Sequence, residues 1–372
     1  MEVFGEGKHR VLFVGEHPTH ADDAAGRPFS GDEGDLLRSA CASAGVNLDD
    51  CMMTNAVICA PPKTLTDKDK KIIGYCAPNL RQAVIAFQPD VIIPMGFIAA
   101  KSYLSSYYKD KVGGIKTWAG WQIPMRKPNV WVCPTFSPTF VIESREDRNG
   151  DVVELLFRDH IKQALSKSAQ PWDQIPDYSE GVRIIMNPDD AAAEIRKMIA
   201  KGLMCSWDLE TTSLKPEAVG ARILTCAITQ ARHDTISFPV IGEAKKALSE
   251  FCASPVPKVG ANTKFEDRWS RVHLGTPVNN WVWDTVLSAH HLDNRPNITS
   301  VKFQAFVRLG MEAWEESLKV YMKADNSMSL NKLATVDLPV LLKYNGLDSV
   351  IEFEIALHQR AEMMRMKELA CK

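Results

Sequence analysis

LMCSWDLE at 203–210 decides the fold of the C-terminal half: with RILTCAIT at 222–229 and DTISF at 234–238 it reads as three consecutive strands joined by short turns. Within it Asp208 and Glu210 stand two residues apart, so a strand sends both carboxylates from one face. Two carboxylates on one face of an apolar strand repel each other unless a cation lies between them or the strand end meets solvent. Upstream, VRIIM at 182–186 is another short apolar run, and Asn187-Pro188-Asp189 is a helix start signal. From about Glu243 the pattern is mainly helical, closing in a long helix from Leu347 towards Lys372. An antiparallel meander followed by helices predicts an α+β sheet covered by helices.

Two more segments of this half carry polar residues in a suggestive order. In KYNGLDSV, Tyr344 and Asp348 are four apart and share a helical face. VGANTKFEDRWS at 259–270 puts Glu266 and Asp267 at the start of a helix. In chain order, WDLETTSL, then NTKFED followed by WDT at 283–285, then YNGLD resemble the three motifs of the DEDD-type 3′→5′ exonucleases, in the tyrosine-bearing subgroup that proofreads for family A DNA polymerases. The resemblance covers nearly all of 182–372. It implies a ribonuclease H-like α+β exonuclease domain acting on single-stranded or frayed 3′ ends of DNA. It also implies two divalent ions, Mg²⁺ or Mn²⁺, held by Asp208, Glu210, Asp348 and a middle acid, with Tyr344 orienting the attacking water. Oxygen ligands of this kind suit hard cations, and two such ions suit phosphodiester hydrolysis. The middle acid is ambiguous: counting from Asn262 favours Glu266, counting back from Arg268 favours Asp267, and both are carried as catalytic and metal-binding candidates. Asp284 reads as a helix cap that orders the site.

The N-terminal half reads differently. Short apolar runs, VLFVG at 11–15, CMMTN at 51–55, DVIIPMG at 90–96 and VWVCPT at 130–135, alternate with helical stretches such as 34–45 and 70–87. Such runs suit parallel strands buried on both faces, hence a three-layer α/β/α sandwich that binds ligands beyond the carboxyl ends of its strands. At those ends lie VLFVGEHPTHADDAAGRPFSG at 11–31, TNAVICAPP at 54–62 and PTFSPTF at 134–140. Their convergence predicts a small-ligand pocket with an acid, an amide and a ring.

These segments resemble the uracil-DNA glycosylase superfamily, most closely family 4, through GExP, GRPFxG, TNxVxCxPP and PTxxPT. The resemblance covers about 1–160. It implies a flipped-out uracil bounded by Gly15, stacked on Phe29 and read at its edge by Asn55, with Glu16 and Asp22 handling the attacking water or the developing sugar cation. Where the family has His-Pro-Ser, this chain has Ser137-Pro138-Thr139, so Ser137 stands in place of the imidazole that stabilises the leaving base. The family also holds a four-cysteine iron–sulfur cluster. Cys59 and Cys76 match two of its ligands as a remnant of that set, and a cluster is expected only if upstream cysteines precede this chain. VFGEG at 3–7 resembles the residues that follow the family's CxxC.

At 372 residues the chain suits two domains, and SKSAQPWDQIPDYSEG at 166–181 interrupts the apolar periodicity as a linker. The expected domains are 1–165 and 182–372. A net charge of −2 gives no global attraction to nucleic acid, so DNA binding must come from local grooves. Nine cysteines, none in a CxxC pair, suit a reducing cytoplasm, that of a bacterium or a phage-infected host. The longest apolar run, VIIPMGFIAA at 91–100, is half what a membrane span needs, so no membrane partner is expected. The fusion resembles the front of phage-type family A DNA polymerases, which makes a polymerase domain or subunit the expected protein partner and replication and repair the expected context. The first domain either excises uracil or senses it without cutting.

Overall fold

The computed structural model describes residues 2–61, 65, 69–110, 112–169 and 175–370. Pro62 at the end of TNAVICAPP, 170–174 within the expected linker and the last two residues lie outside them. The chain forms two compact units, Met1–Ile175 with Phe306–Glu312, and Pro176–Ala305 with Ala313–Lys372.

The first unit has five strands, β1 Val11–Gly15, β2 Met52–Asn55, β3 Val91–Pro94, β4 Ile123–Met125 and β5 Val130–Val132, in the order β2-β1-β3-β5-β4. The four strands expected from the apolar runs are all present and mutually parallel. The fifth, β4, was not foreseen; it pairs antiparallel with β5 at the sheet edge, where its Pro124 is tolerated. Every residue of β1 is buried because helices cover both faces. Helices Asp32–Ser43, Pro138–Ser144 and Gly150–Ser166 pack together over Phe13, Met53 and Ile93. Lys70–Phe87 and Phe97–Leu104 pack on the other side. The result is the three-layer α/β/α sandwich, with the ends of β1, β2 and β3 at one rim.

The second unit has six strands, β6 Val182–Ile184, β7 Cys205–Thr211, β8 Ile223–Ala231, β9 Asp234–Pro239, β10 Lys258–Gly260 and β11 Trp281–Asp284, in the order β11-β10-β7-β8-β9-β6. The expected meander is β7-β8-β9, antiparallel throughout. Beyond Glu243 the chain is not helical alone: β10 joins β7 in parallel and β11 joins β10. Those strands escaped the periodicity reading because three or four residues are too few to show a period. Counted from β7, the order 3-2-1-4-5 with an antiparallel second strand is the ribonuclease H-like sheet. Helix Pro188–Lys201 opens at Asn187, whose side chain accepts from the backbone N–H of Asp189 and Asp190, and closes on left-handed Gly202. The last helix is longer than expected, Leu338–Ala370, so Tyr344, Asp348 and the residues between them lie well inside it.

Candidate functional site

In the second unit the strand and the helix bring three acids together. One ligand oxygen each from Asp208, Glu210 and Asp348 lies within 4.8 Å of the other two. Strand alternation turns Asp208 and Glu210 to the face that the Leu338–Ala370 helix covers. The contact is fixed by polar bonds. Asn345 Nδ2 donates to Asp208 Oδ2 at 2.7 Å, and Thr225 Oγ1 donates to Asn345 Oδ1 at 2.9 Å. Ser206 Oγ donates to the Ser349 carbonyl at 2.6 Å, pinning the helix to β7. Asp348 accepts from Trp314 Nε1 and from the Tyr344 hydroxyl. The Tyr344 ring packs against Leu318, Leu333 and Leu341, which leaves the hydroxyl as its working end.

The electrostatics follow from burial and like charge. Burial first, opposed by bonds from the Leu209 N–H and Asn345, holds the Asp208 carboxyl up at about 6. Burial and then Asp208 push Asp348 up to about 8, against the Tyr344 and Trp314 bonds. Burial, then Asp208 and Asp348, raise Glu210 well above the ordinary carboxylate range. Tyr344 is raised by burial and by the same acids, so its phenol stays protonated. Three clustered acids that disfavour one another's charge are a donor set for a hard divalent cation.

The structure separates the two candidates for the middle acid. Glu266 is buried, Asp208 and Asp284 act on it as like charges, and its Oε2 has no hydrogen-bond partner. Asp267 is held elsewhere: Oδ1 accepts from the Val278 N–H at 2.9 Å and Oδ2 from Arg271 Nε at 2.7 Å. Both oxygens of Asp267 thus serve the local structure, whereas Glu266 keeps an oxygen without a hydrogen-bond partner. Asp284 caps helix Thr285–Leu292 through Val286 and Leu287 N–H, and its other oxygen accepts from Thr263 N–H at 2.9 Å. It thereby ties β11 to the turn that launches Glu266. Asn345, Trp314 and the buried Glu352 belong to this neighbourhood and were missed from sequence.

In the first unit, Gly15, Phe29 and Asn55 converge beyond β1 and β2. A Cβ on Gly15 would lie 2.2 Å from Asn55 Oδ1 and 3.0 Å from Phe29 Cζ, so only glycine leaves room for both side chains. Phe29 is buried and adopts φ 57°, an unusual conformation for an aromatic residue. Asn55 is 4% exposed, and its Nδ2 has no partner. A buried amide donor without an acceptor is what a site for a carbonyl-bearing base leaves open. Glu16 Oε1 accepts from the Ile98 N–H at 2.8 Å, at the start of helix Phe97–Leu104. Burial raises its carboxyl, against bonds that include the Ser137 hydroxyl. Ser137 also caps helix Pro138–Ser144 by accepting from Phe140 N–H.

Asp22 is buried with Oδ1 accepting from Ser30 N–H at 2.7 Å and Oδ2 from Thr19 N–H at 2.9 Å. It clamps the GRPF loop that carries Phe29, each oxygen holding one backbone N–H. Cys59 is exposed and Cys76 half-buried, and among the described residues neither joins a group of three ligating side chains. Burial pushes the Cys51 and Cys133 thiols up to about 12, which makes them poor thiolate donors. The described residues do not fit a four-cysteine cluster, and no chemistry here is routed through one.

Fold and sites together define a two-unit protein: a sandwich whose rim gathers Gly15, Phe29 and Asn55, and a ribonuclease H-like sheet bearing a carboxylate triad. Residues 2–160 match the family model for the uracil DNA glycosylase superfamily, and the chain belongs to that superfamily. The type-4 uracil-DNA glycosylase of Pyrobaculum aerophilum is 35% identical over 140 residues, which is 37% of this chain and 70% of the relative. A DNA polymerase of Bacillus phage SP01 is 24% identical over 349 residues, 86% of this chain but 36% of the polymerase. Among solved structures, RNase D of Escherichia coli aligns with a TM-score of 0.38 at 10% identity, over 50% of this chain and 45% of that one. No described helix is long and apolar enough to cross a membrane.

Proposed function

We propose that the second unit is a metal-dependent 3′→5′ exonuclease that shortens DNA from single-stranded or frayed ends, and that the first unit recognises uracil in DNA. The observation that carries the nuclease reading is the Asp208–Glu210–Asp348 triad, three acids with oxygens within 4.8 Å of one another. The chemistry that two divalent ions, Mg²⁺ or Mn²⁺, supply in such a site is activation of water and neutralisation of charge at the scissile phosphate. Asp208, Glu210, Glu266 and Asp348 are the residues that hold them. Tyr344, bonded to Asp348 and with its ring packed, orients the incoming water through a hydroxyl that stays protonated. Asn345 and Trp314 fix the rotamers of Asp208 and Asp348.

The likeness to a phage DNA polymerase over most of the chain supports work beside a polymerase domain or subunit, in replication and repair within the cytoplasm. The test is a 5′-labelled single strand incubated with Mg²⁺. A ladder shortened from the 3′ end, absent in EDTA and absent in Asp208→Ala, is the expected result; internal cuts alone, or no cuts, overturn the reading. For the first unit, sensing of uracil without excision is the second reading. Ser137 favours it, because the residue at the imidazole position is a hydroxyl already bonded to Glu16 and to a helix end.

A further inference from the structure

The second unit holds a groove of about 420 Å³ where β8 begins and β9 ends, beside the last residue of β7. Its lining is tied to the residues that directly follow Glu210. The Arg222 N–H donates to Thr212 Oγ1 at 2.9 Å, and Ile223 lies opposite Thr211 in the β7–β8 ladder. Asn331 Nδ2 donates to the Thr211 carbonyl at 2.9 Å, while its Oδ1 accepts from the N–H of Leu333, another lining residue, at 3.0 Å. Leu333 and Leu341 serve two purposes: they line the groove and they carry the ring of Tyr344. The groove therefore adjoins the residues that hold the carboxylate triad in place.

None of the described residues that line the groove is acidic. Arg222 and Lys245, the latter on helix Gly242–Ala253, are exposed at it, and among the described residues neither forms an ion pair. Basic side chains close by in sequence are neutralised: Lys246 pairs with Glu243, and Arg268 with Glu217. The same lining includes an aliphatic surface, Ile241 at 55% exposure with half-buried Leu224 and Val336. Unpaired cations beside aliphatic side chains suit a polyanion that also presents sugar and base faces. An acidic protein segment offers similar chemistry, but the shared support of Tyr344 decides for DNA, because an enzyme that removes 3′-terminal nucleotides must hold the strand beyond the bond it cuts. Resting on the exonuclease reading, we propose that this groove holds the single strand on the 5′ side of the scissile phosphodiester, with Arg222 and Lys245 each on a backbone phosphate. Contacts to phosphates and apolar faces carry no base code, so the groove accepts any sequence.

Thymidylate strands test the groove, since they carry no uracil for the first unit. The dinucleotide has one phosphodiester, the scissile one, and leaves the two cations without a phosphate; a dodecamer supplies them. Wild type should cleave the dodecamer with a KM about tenfold or more below that for the dinucleotide, and Arg222→Ala with Lys245→Ala should lose most of that advantage through KM rather than kcat. The log–log dependence of the dodecamer KM on salt should flatten by roughly 0.7 for each phosphate contact removed. Arg222→Lys with Lys245→Arg should keep the advantage. In the silenced Asp208→Ala chain, anisotropy of a labelled dodecamer reads the same contacts without catalysis, and the two alanines should weaken binding by about tenfold. Wild-type dodecamer KM, affinity and salt slope in the double variant overturn the proposal. So does an equal loss on the dinucleotide, which would mark a disturbed metal site. Unchanged dodecamer binding with loss of binding to a labelled poly(Glu-Leu) peptide would give the groove to an acidic protein segment instead. A wild type that binds the dodecamer through Arg222 and Lys245 yet degrades no DNA would defeat the exonuclease reading while strand binding by the groove stands.

Discussion

Asn345 joins three elements at one point, its amide nitrogen donating to Asp208 Oδ2 at 2.7 Å while its carbonyl accepts from Thr225 at 2.9 Å. The residue sits at zero exposure between the last helix and strands β7 and β8. It therefore sets the rotamer of Asp208. Replacing it by alanine strands the buried Thr225 hydroxyl, at a cost of about 1–3 kcal/mol in urea unfolding. It also frees Asp208 to rotate, so cleavage in saturating Mg²⁺ should fall by about tenfold or more. An Asn345→Ala protein with wild-type rate would show that Asp208 needs no such support.

Glu266 and Asp267 should part company on substitution. Glu266→Gln should reduce exonuclease turnover by about a hundredfold or more, since a ligand of the two-ion geometry is lost. Asp267→Asn should leave turnover within a few-fold while costing on the order of 1 kcal/mol, because its partners are Arg271 and the Val278 N–H. The reverse pattern would return the ligand role to Asp267.

The acid cluster has a definite sign in stability against pH. Asp208 and Asp348 sit at about 6 and about 8 in the folded chain, above the roughly 3.9 of an unfolded aspartate. Raised values mean that the folded state binds more protons than the unfolded one, so metal-free stability falls as pH rises through this range. In EDTA the second unit should melt at a higher temperature at pH 6 than at pH 8. Asp348→Asn should shrink the difference, and excess Mg²⁺ should remove it, because a cation takes over from the proton. A metal-free melting point that climbs from pH 6 to pH 8 would sink this account.

Legibility in the sequence tracked how local each signal was. The β7-β8-β9 meander and the four parallel strands of the first unit announce themselves by runs of apolar residues. Strands β10 and β11 do not, being three or four residues whose pairing is decided by partners far along the chain. The same holds for the sites. Asp208 and Glu210 are two apart on a strand and declare a shared face, whereas Trp314 reaches Asp348 across 34 residues with no spacing rule to reveal it. The bonds of Asp22 to Thr19 and Ser30 were equally hidden, because an acid beside a ligand loop looks the same in sequence whether it faces the ligand or clamps the loop. Glu352 left a trace that periodicity could have caught: VIEFEIA places two acids in an apolar run, and only one of them, Glu354, finds a cation, Arg232.

The first unit yields the sharpest separation of binding from chemistry. Gly15, Phe29 and Asn55 form one packing unit, since a Cβ on Gly15 would displace the Asn55 amide and press on the Phe29 ring. With the nuclease silenced by Asp208→Ala, the chain should prefer single-stranded uracil-DNA over thymine-DNA, and Phe29→Ala should lose about 1–3 kcal/mol of that binding through lost stacking. Gly15→Ala should abolish the preference as thoroughly as Asn55→Ala. Excision is a separate matter, read by alkali cleavage of abasic sites. Without the imidazole it should run slower than in a complete family member by on the order of a hundredfold or more. Ser137→His gives up the bond to Glu16 and a helix cap worth about 1 kcal/mol, yet it should quicken excision if the rest of the pocket is competent. Rapid excision by the Ser137 protein would mean that another group stabilises the leaving base, and the half-buried His17, next to Glu16, is the first to replace. Equal binding of uracil-DNA and thymine-DNA would remove recognition of uracil from this unit altogether.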